Sequence, residues 1–195
     1  LRLRAEHAYA VIELGANHPG EIADLTRLVR PDIAIINNAG PCHLEGFGDV
    51  AGVARAKGEI FQGLDAEGVA IINRDDPYAD YWVSLNPGRR IIDFGLDQPA
   101  TVRAARLNAA GHRFRFITPV GEIDVQSPLP GRHNLRNALA ATAATLAVGA
   151  SLDEIRHGLE NLSGVNGRLQ RLPGRQGGAV IHDAYNANPA SLAAA

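Results

Sequence analysis

The chain has 195 residues, 46% of them apolar and 21% charged, the balance of a globular protein and not of a disordered, collagen-like or coiled-coil one. Nineteen basic against 21 acidic residues leave a net charge of −2, which disfavours electrostatic nucleic-acid binding, and no apolar run reaches the roughly 18 residues of a membrane span. There is one cysteine, Cys42, and no methionine, so the sequence reads as part of a longer protein of a reducing cytoplasm, without a secretory leader in view.

Apolar periodicity predicts the elements in turn. Tyr9–Leu14 (YAVIEL) has the composition of a buried strand. Gly20–Val29 has helical spacing and is stopped by Pro31. Asp32–Asn37 is a second buried strand, and a Gly/Pro-containing loop, 38–48, follows. Asp49 is placed to cap a helix from about Val50 to Leu64. Gly68–Asn73 and Arg90–Phe94 read as further strands, with a short helix near Tyr78–Leu85 between them. Apolar strands separated by helices predict an α/β fold, a mostly parallel sheet with helices on both faces.

The pattern then changes. Val102–Leu107, Arg113–Ile117 and Glu122–Val125 are short and alternating, which predicts a small antiparallel β part; strict alternation in RFRFI implies one solvated face. Two helices follow, Asn134–Val148 with Asn134 as N-cap, and Leu152–Leu162 behind a Ser151/Glu154 capping box. Gly177–Asp183 reads as a last strand, and Pro189–Ala195 as the start of another helix.

Ligands of parallel α/β sheets bind beyond the carboxyl ends of the strands. Polar residues collect at those predicted ends: Glu13 and Asn17; Asn37, Asn38, His43 and Glu45; Asn73, Asp75 and Asp76; Asp183, Tyr185, Asn186 and Asn188. Glu13 and His43 together offer oxygen and imidazole ligands for Mg²⁺ or Mn²⁺; taken singly, Glu13 suits a salt-bridged or edge position and His43 a solvated loop. Arg132 and Arg168 each follow a glycine and can clamp phosphate, although any one of 18 arginines is more simply a surface residue. His133, Asn134 and Asn137 open the alanine-rich helix; an asparagine amide there suits either helix capping or the edge of an adenine. Lys57 is the only lysine, and it alone among the basic residues can offer a neutral primary amine.

Six strings in order, IELGANHPGEI, NNAGPCHLEGFG, ARAKGEIF, LPGRHNLRNALAA, NGRLQ and HDAYNANP, resemble the Mur ligase family from about Ala8 to the end of the chain. HLEGFG, KGEIF and DAYNANP fit the branch that adds D-alanyl-D-alanine better than those that add alanine, glutamate or diaminopimelate. The resemblance implies an ATP-dependent amide-bond ligase of peptidoglycan synthesis and cell-wall biogenesis, and a P-loop-type central domain. On that resemblance the terminal carboxylate of a UDP-N-acetylmuramoyl-tripeptide would take a phosphoryl group from ATP to become an acyl phosphate, and the amine of D-alanyl-D-alanine would displace phosphate from it to form the peptide bond. Glu13 and His43 would ligate Mg²⁺, and Lys57 would be carbamylated to hold a second ion. Asn137 would contact adenine with His133 and Asn134 beside it, Arg168 the phosphates of ATP, and Asp183 the ribose. Asn17 and His18 would lie on the amine-substrate side.

The resemblance also implies residues 1–180 as the central ATP-binding domain, 181–195 as its last strand, linker and entry to a C-terminal domain, and a phosphate loop upstream of Leu1. On this reading the chain is inactive alone, and the full-length enzyme is a cytoplasmic monomer that neither binds nucleic acid nor inserts into membranes. Two other readings remain open: a ligase like folylpolyglutamate or cyanophycin synthetase, and a non-catalytic ATP-binding module.

Overall fold

A computed structural model describes residues 3–106, 113–129, 131–164, 166–168 and 170–184. In chain order the elements are α1 (Glu21–Val29), β1 (Ile33–Ile36), α2 (Leu44–Phe47), α3 (Val50–Gly58) continued by a 3₁₀ turn (Glu59–Gly63), β2 (Val69–Asn73), α4 (Ala79–Ser84), β3 (Arg90–Gly95), β4 (Val102–Arg106), β5 (Arg113–Thr118), β6 (Gly121–Gln126), α5 (Arg132–Ala147), α6 (Leu152–Glu160), β7 (Gln170–Pro173) and β8 (Ala179–His182). A six-stranded sheet has the order β1-β2-β3-β4-β5-β6, and β7 and β8 form a separate two-stranded sheet. The architecture is the expected α/β one: the six-stranded sheet is mostly parallel, β4 joins β3 in parallel, and β5 and β6 extend it antiparallel. Among the described residues no helix is long and apolar enough to cross a membrane.

The chain forms two units, Leu1–Ala70 with Asp76–Ile91, and Ile71–Asp75 with Ile92–Ala195. In the first, α1 ends where Arg30 turns left-handed (φ 48°) and returns its N–H to Thr26 O; Pro31 cannot continue the helix. Asp49 caps α3 as expected, its Oδ1 accepting from Gly52 N at 2.6 Å. Trp82 of α4 is fully buried and its indole N–H donates to Ala54 O of α3 at 3.0 Å.

In the second unit β5 keeps the predicted alternation. Phe114 and Phe116 face inward, opposite Val125 and Ile123 of β6, while Arg115 faces outward and pairs with Asp124 at 2.8 Å. Ser151 and Glu154 close the capping box of α6. β2 is buried at all five positions, which requires cover on both of its faces.

Four expectations fail. Residues 9–14 form no strand: Tyr9 is 71% exposed and Val11 fully so, and an apolar run without a ladder partner has nothing to bury against. The strand at Ala179–His182 lies outside the main sheet; it pairs antiparallel with β7, whose QRLP sequence lacks an apolar face and gave no strand signal. Loop 38–48 contains the short helix α2. The cap of α5 is Gly131, not Asn134, because the helix begins three residues earlier than an asparagine cap implies. The predicted helix at Pro189–Ala195 lies outside the described residues.

Candidate active site

In the first unit, small and apolar side chains draw three motif segments together. Phe47, Val53 and Ala56 form a buried cluster, and Ala16, Ala39 and Cys42 pack on it. The strings IELGAN, NNAGPC and ARAKGEIF thus meet around one core. Gly46 lies against the carbonyl of Asn17, where a Cβ would collide with backbone.

Two carboxylates fix the turn that carries Asn17 and His18. Glu21 Oε2 accepts from the N–H groups of Asn17 (2.7 Å) and His18 (3.2 Å), and its Oε1 lies 3.3 Å from His18 Nδ1. These backbone donors hold the Glu21 carboxyl below the usual carboxylate range. Glu59 reaches across from the 3₁₀ turn and accepts from Gly20 N at 2.9 and 3.0 Å and from Ala23 N at 3.1 Å, capping α1. Glu59 stands two residues after Lys57 in KGEIF, where no local pattern signals a partner 39 residues away.

Lys57 is half-buried on α3, and its Nζ donates to Asn38 O at 2.8 Å. The next residue of that loop, Ala39, gives its N–H to Asp76 Oδ2 at 2.8 Å. His43 is exposed at the start of α2 with φ 50°. Glu13 is also exposed, and because residues 9–14 form no strand it is not at a strand end. The donor types of Glu13 and His43, oxygen and imidazole, suit a hard cation. Among the described residues no group of three or more His, Cys, Asp or Glu gathers into a metal-binding cluster.

In the second unit α5 opens with His133 and Asn134 half-buried and Asn137 exposed one turn on. Gly131, with φ 96°, lies against the His133 ring. Arg132 does not stand ready for phosphate: its Nη2 donates to both oxygens of Asp97 at 2.7 Å. Arg168 is exposed after Gly167. Asp183 is half-buried and directly follows β8, so it sits at the end of a strand of the two-stranded sheet and not of the six-stranded one. Tyr185, Asn186 and Asn188 lie outside the described residues.

Asp75 follows β2, and its side chain is enclosed, only 6% exposed. Its oxygens accept from the N–H groups of Leu96 (2.7 Å), Asp97 (2.9 Å) and Gln98 (2.9 Å). Burial pushes its carboxyl up, but the three amides and the charge of Arg136 prevail and hold it below the usual range.

The model of the Mur ligase middle domain matches residues 1–145. Among curated proteins, UDP-N-acetylmuramoyl-tripeptide–D-alanyl-D-alanine ligase of Escherichia coli K12 is 48% identical over 198 residues, and that of Haemophilus influenzae 47% over 196. Both alignments take in all of this chain but only 44% and 42% of those proteins, so the chain spans less than half their length. Among solved structures, MurF from Acinetobacter baumannii superposes with a TM-score of 0.92 at 40% identity, over 98% of this chain and 42% of that one. A MurF ligase from Thermotoga maritima, solved in complex with ADP, gives 0.78 at 26% identity, over 92% of this chain and 41% of that one.

Proposed function

The chain belongs to the Mur ligase family through its middle domain, and from that premise we propose that the full-length protein adds D-alanyl-D-alanine to a UDP-N-acetylmuramoyl-tripeptide at the expense of ATP. The dipeptide and the tripeptide are those in the names of the curated relatives, and a nucleotide site is supported by the ADP complex of the Thermotoga protein. Residues 1–180 would form the central ATP-binding domain and 181–195 the passage to a further domain. The enzyme would act as a monomer in the cytoplasm, where Cys42 remains a free thiol.

The observation that carries this reading is the shared cluster of Phe47, Val53 and Ala56 with Ala16, Ala39 and Cys42, which supports a single site built from the loops of Asn17, His18 and His43 and the helix of Lys57. Glu13 and His43 would hold Mg²⁺, with a carbamate on Lys57 as a further oxygen ligand. The bound ions would neutralise phosphate charge as the carboxylate is activated. A carbamate nitrogen keeps one N–H, so the Asn38 carbonyl can retain its hydrogen bond to Lys57 after modification. Glu21 and Glu59 fix the turn of Asn17 and His18, which suits the positioning of an incoming amine. Asn137 would read adenine beside His133 and Asn134, Arg168 would meet the phosphates, and Asp183 the ribose hydroxyls.

Replacing the lysine tests this reading. Lys57→Ala in the full-length protein is expected to abolish ligation, by about 10²-fold or more, and a short carboxylate such as acetate to restore part of it. A fully active Lys57→Ala or Lys57→Arg enzyme in CO₂-depleted buffer would overturn the carbamate role.

A further inference from the structure

We infer that Asp75, Asp97, Arg132 and Arg136 form a clasp that sets the position of the first turn of α5, making them positioning residues for nucleotide binding; the inference rests on the nucleotide reading of Asn137 given above.

The clasp is built in two steps. Asp75, its side chain only 6% exposed, gathers three consecutive N–H groups, those of Leu96, Asp97 and Gln98, and so fixes the backbone just after β3. Gly95 makes room for this: a Cβ there would lie 3.0 Å from Asp75 Oδ1 and 3.2 Å from Gln98 O. The loop held in this way presents the Asp97 carboxylate, and Arg132 donates to both of its oxygens. One turn further along α5, Arg136 Nε is buried, makes no hydrogen bond, and lies 3.8 Å from Asp75 Oδ2. Two arginines four residues apart on one helix face therefore reach two aspartates that are themselves joined through the backbone.

Helix stability alone does not account for this arrangement. The start of α5 carries no acidic residue in its first turn and no side-chain cap. Two cations near a helix N-terminus oppose the helix dipole, so Arg132 and Arg136 cost stability unless carboxylates offset them. Asp97 and Asp75 supply that offset, and both raise the affinity of the Arg132 guanidinium for its proton. The same first turn and a half carries His133, Asn134 and Asn137. A helix start without a local cap is thus located by side chains from the loop after β3 and from the end of β2.

Arg132 and Asp97 are both more than half exposed, so their replacement leaves the core intact. In the full-length ligase, Asp97→Ala and Arg132→Ala are each expected to raise the KM for ATP by about threefold to tenfold, with kcat and the KM of the other two substrates within about twofold of wild type. Asp97→Asn, which keeps the shape and removes the charge, should do the same. The exchange Asp97→Arg with Arg132→Asp should return the KM for ATP to within about twofold of wild type, which a general loss of folding would not permit. An unchanged KM for ATP in the single variants, or an exchange that restores nothing, would overturn the clasp. Asn137→Ala measured in parallel separates the two claims. If it raises the KM for ATP while the clasp variants do not, the clasp alone falls. If it leaves the KM unchanged, the nucleotide reading of α5 falls and the clasp with it.

Discussion

Residues 9–14 and 68–73 make an instructive pair. YAVIEL and GVAIIN are both six-residue runs made mostly of apolar side chains. The second becomes β2, buried at every one of its five strand positions; the first leaves Tyr9 and Val11 in solvent and joins no strand. Apolar side chains dominate both, although the first run carries the charged Glu13, so apolar content alone does not decide the outcome. What differs is the backbone. β2 sits second in a six-stranded ladder, and its far end is followed by Asp75, which fastens the neighbouring loop. An apolar run is a strand only when something supplies both the ladder and the cover.

The comparison is broken most forcefully in β2. Ile71→Ala deletes a fully buried side chain and is expected to cost about 2–5 kcal/mol in urea unfolding. A loss below about 0.5 kcal/mol would mean that β2 is no better packed than residues 9–14.

Next comes the carboxylate at the strand end. Asp75→Asn keeps the shape but takes away the charge that three amides and Arg136 share, and should cost about 1.5–3 kcal/mol at neutral pH. The sign of its pH dependence follows from the lowered carboxyl. Its contribution is fully present above the unfolded value of about 3.9 and is lost as pH falls through the lower folded value. The gap between wild type and Asp75→Asn, measured by unfolding across that window, should therefore close on acidification. A gap that stays constant would show that the carboxylate charge plays no part.

The smallest effect belongs to the exposed run. Val11→Ala should change stability by less than about 0.5 kcal/mol in this chain, because the side chain touches solvent already. The same substitution in the full-length protein sharpens the contrast: a markedly larger cost there would show that residues 9–14 gain a neighbour from elsewhere.

Legibility followed the range of the interactions. Elements fixed by residues three or four apart were readable: Asp49 before α3, Ser151 with Glu154 before α6, and Pro31 after α1. So was β5, because alternation in RFRFI reports its two faces directly. β7 was not readable, since Gln170–Pro173 is a strand only by virtue of its partner Ala179–His182. The candidate site divides along the same line. Lys57, His43, Asn17 and Asn137 stood out through their motifs, and Asp75 and Asp76 through their place after an apolar run. The duties of Glu59 and Asp97 depend on partners more than 30 residues away, Gly20 and Arg132, and no local pattern announces such a pairing.

The buried indole of Trp82 also makes the molecule its own optical instrument. It is the only tryptophan, fully shielded, and tied to the carbonyl of Ala54, three residues before Lys57 on the same helix. Its emission should be that of an apolar environment and should shift to longer wavelength when water enters. Because the chromophore belongs to the first unit, its signal follows the helix of Lys57, whereas far-ultraviolet dichroism sums over every helix and strand. Coincident melting curves from the two would mark one cooperative transition; separated curves would time the opening of the lysine-bearing unit against the rest.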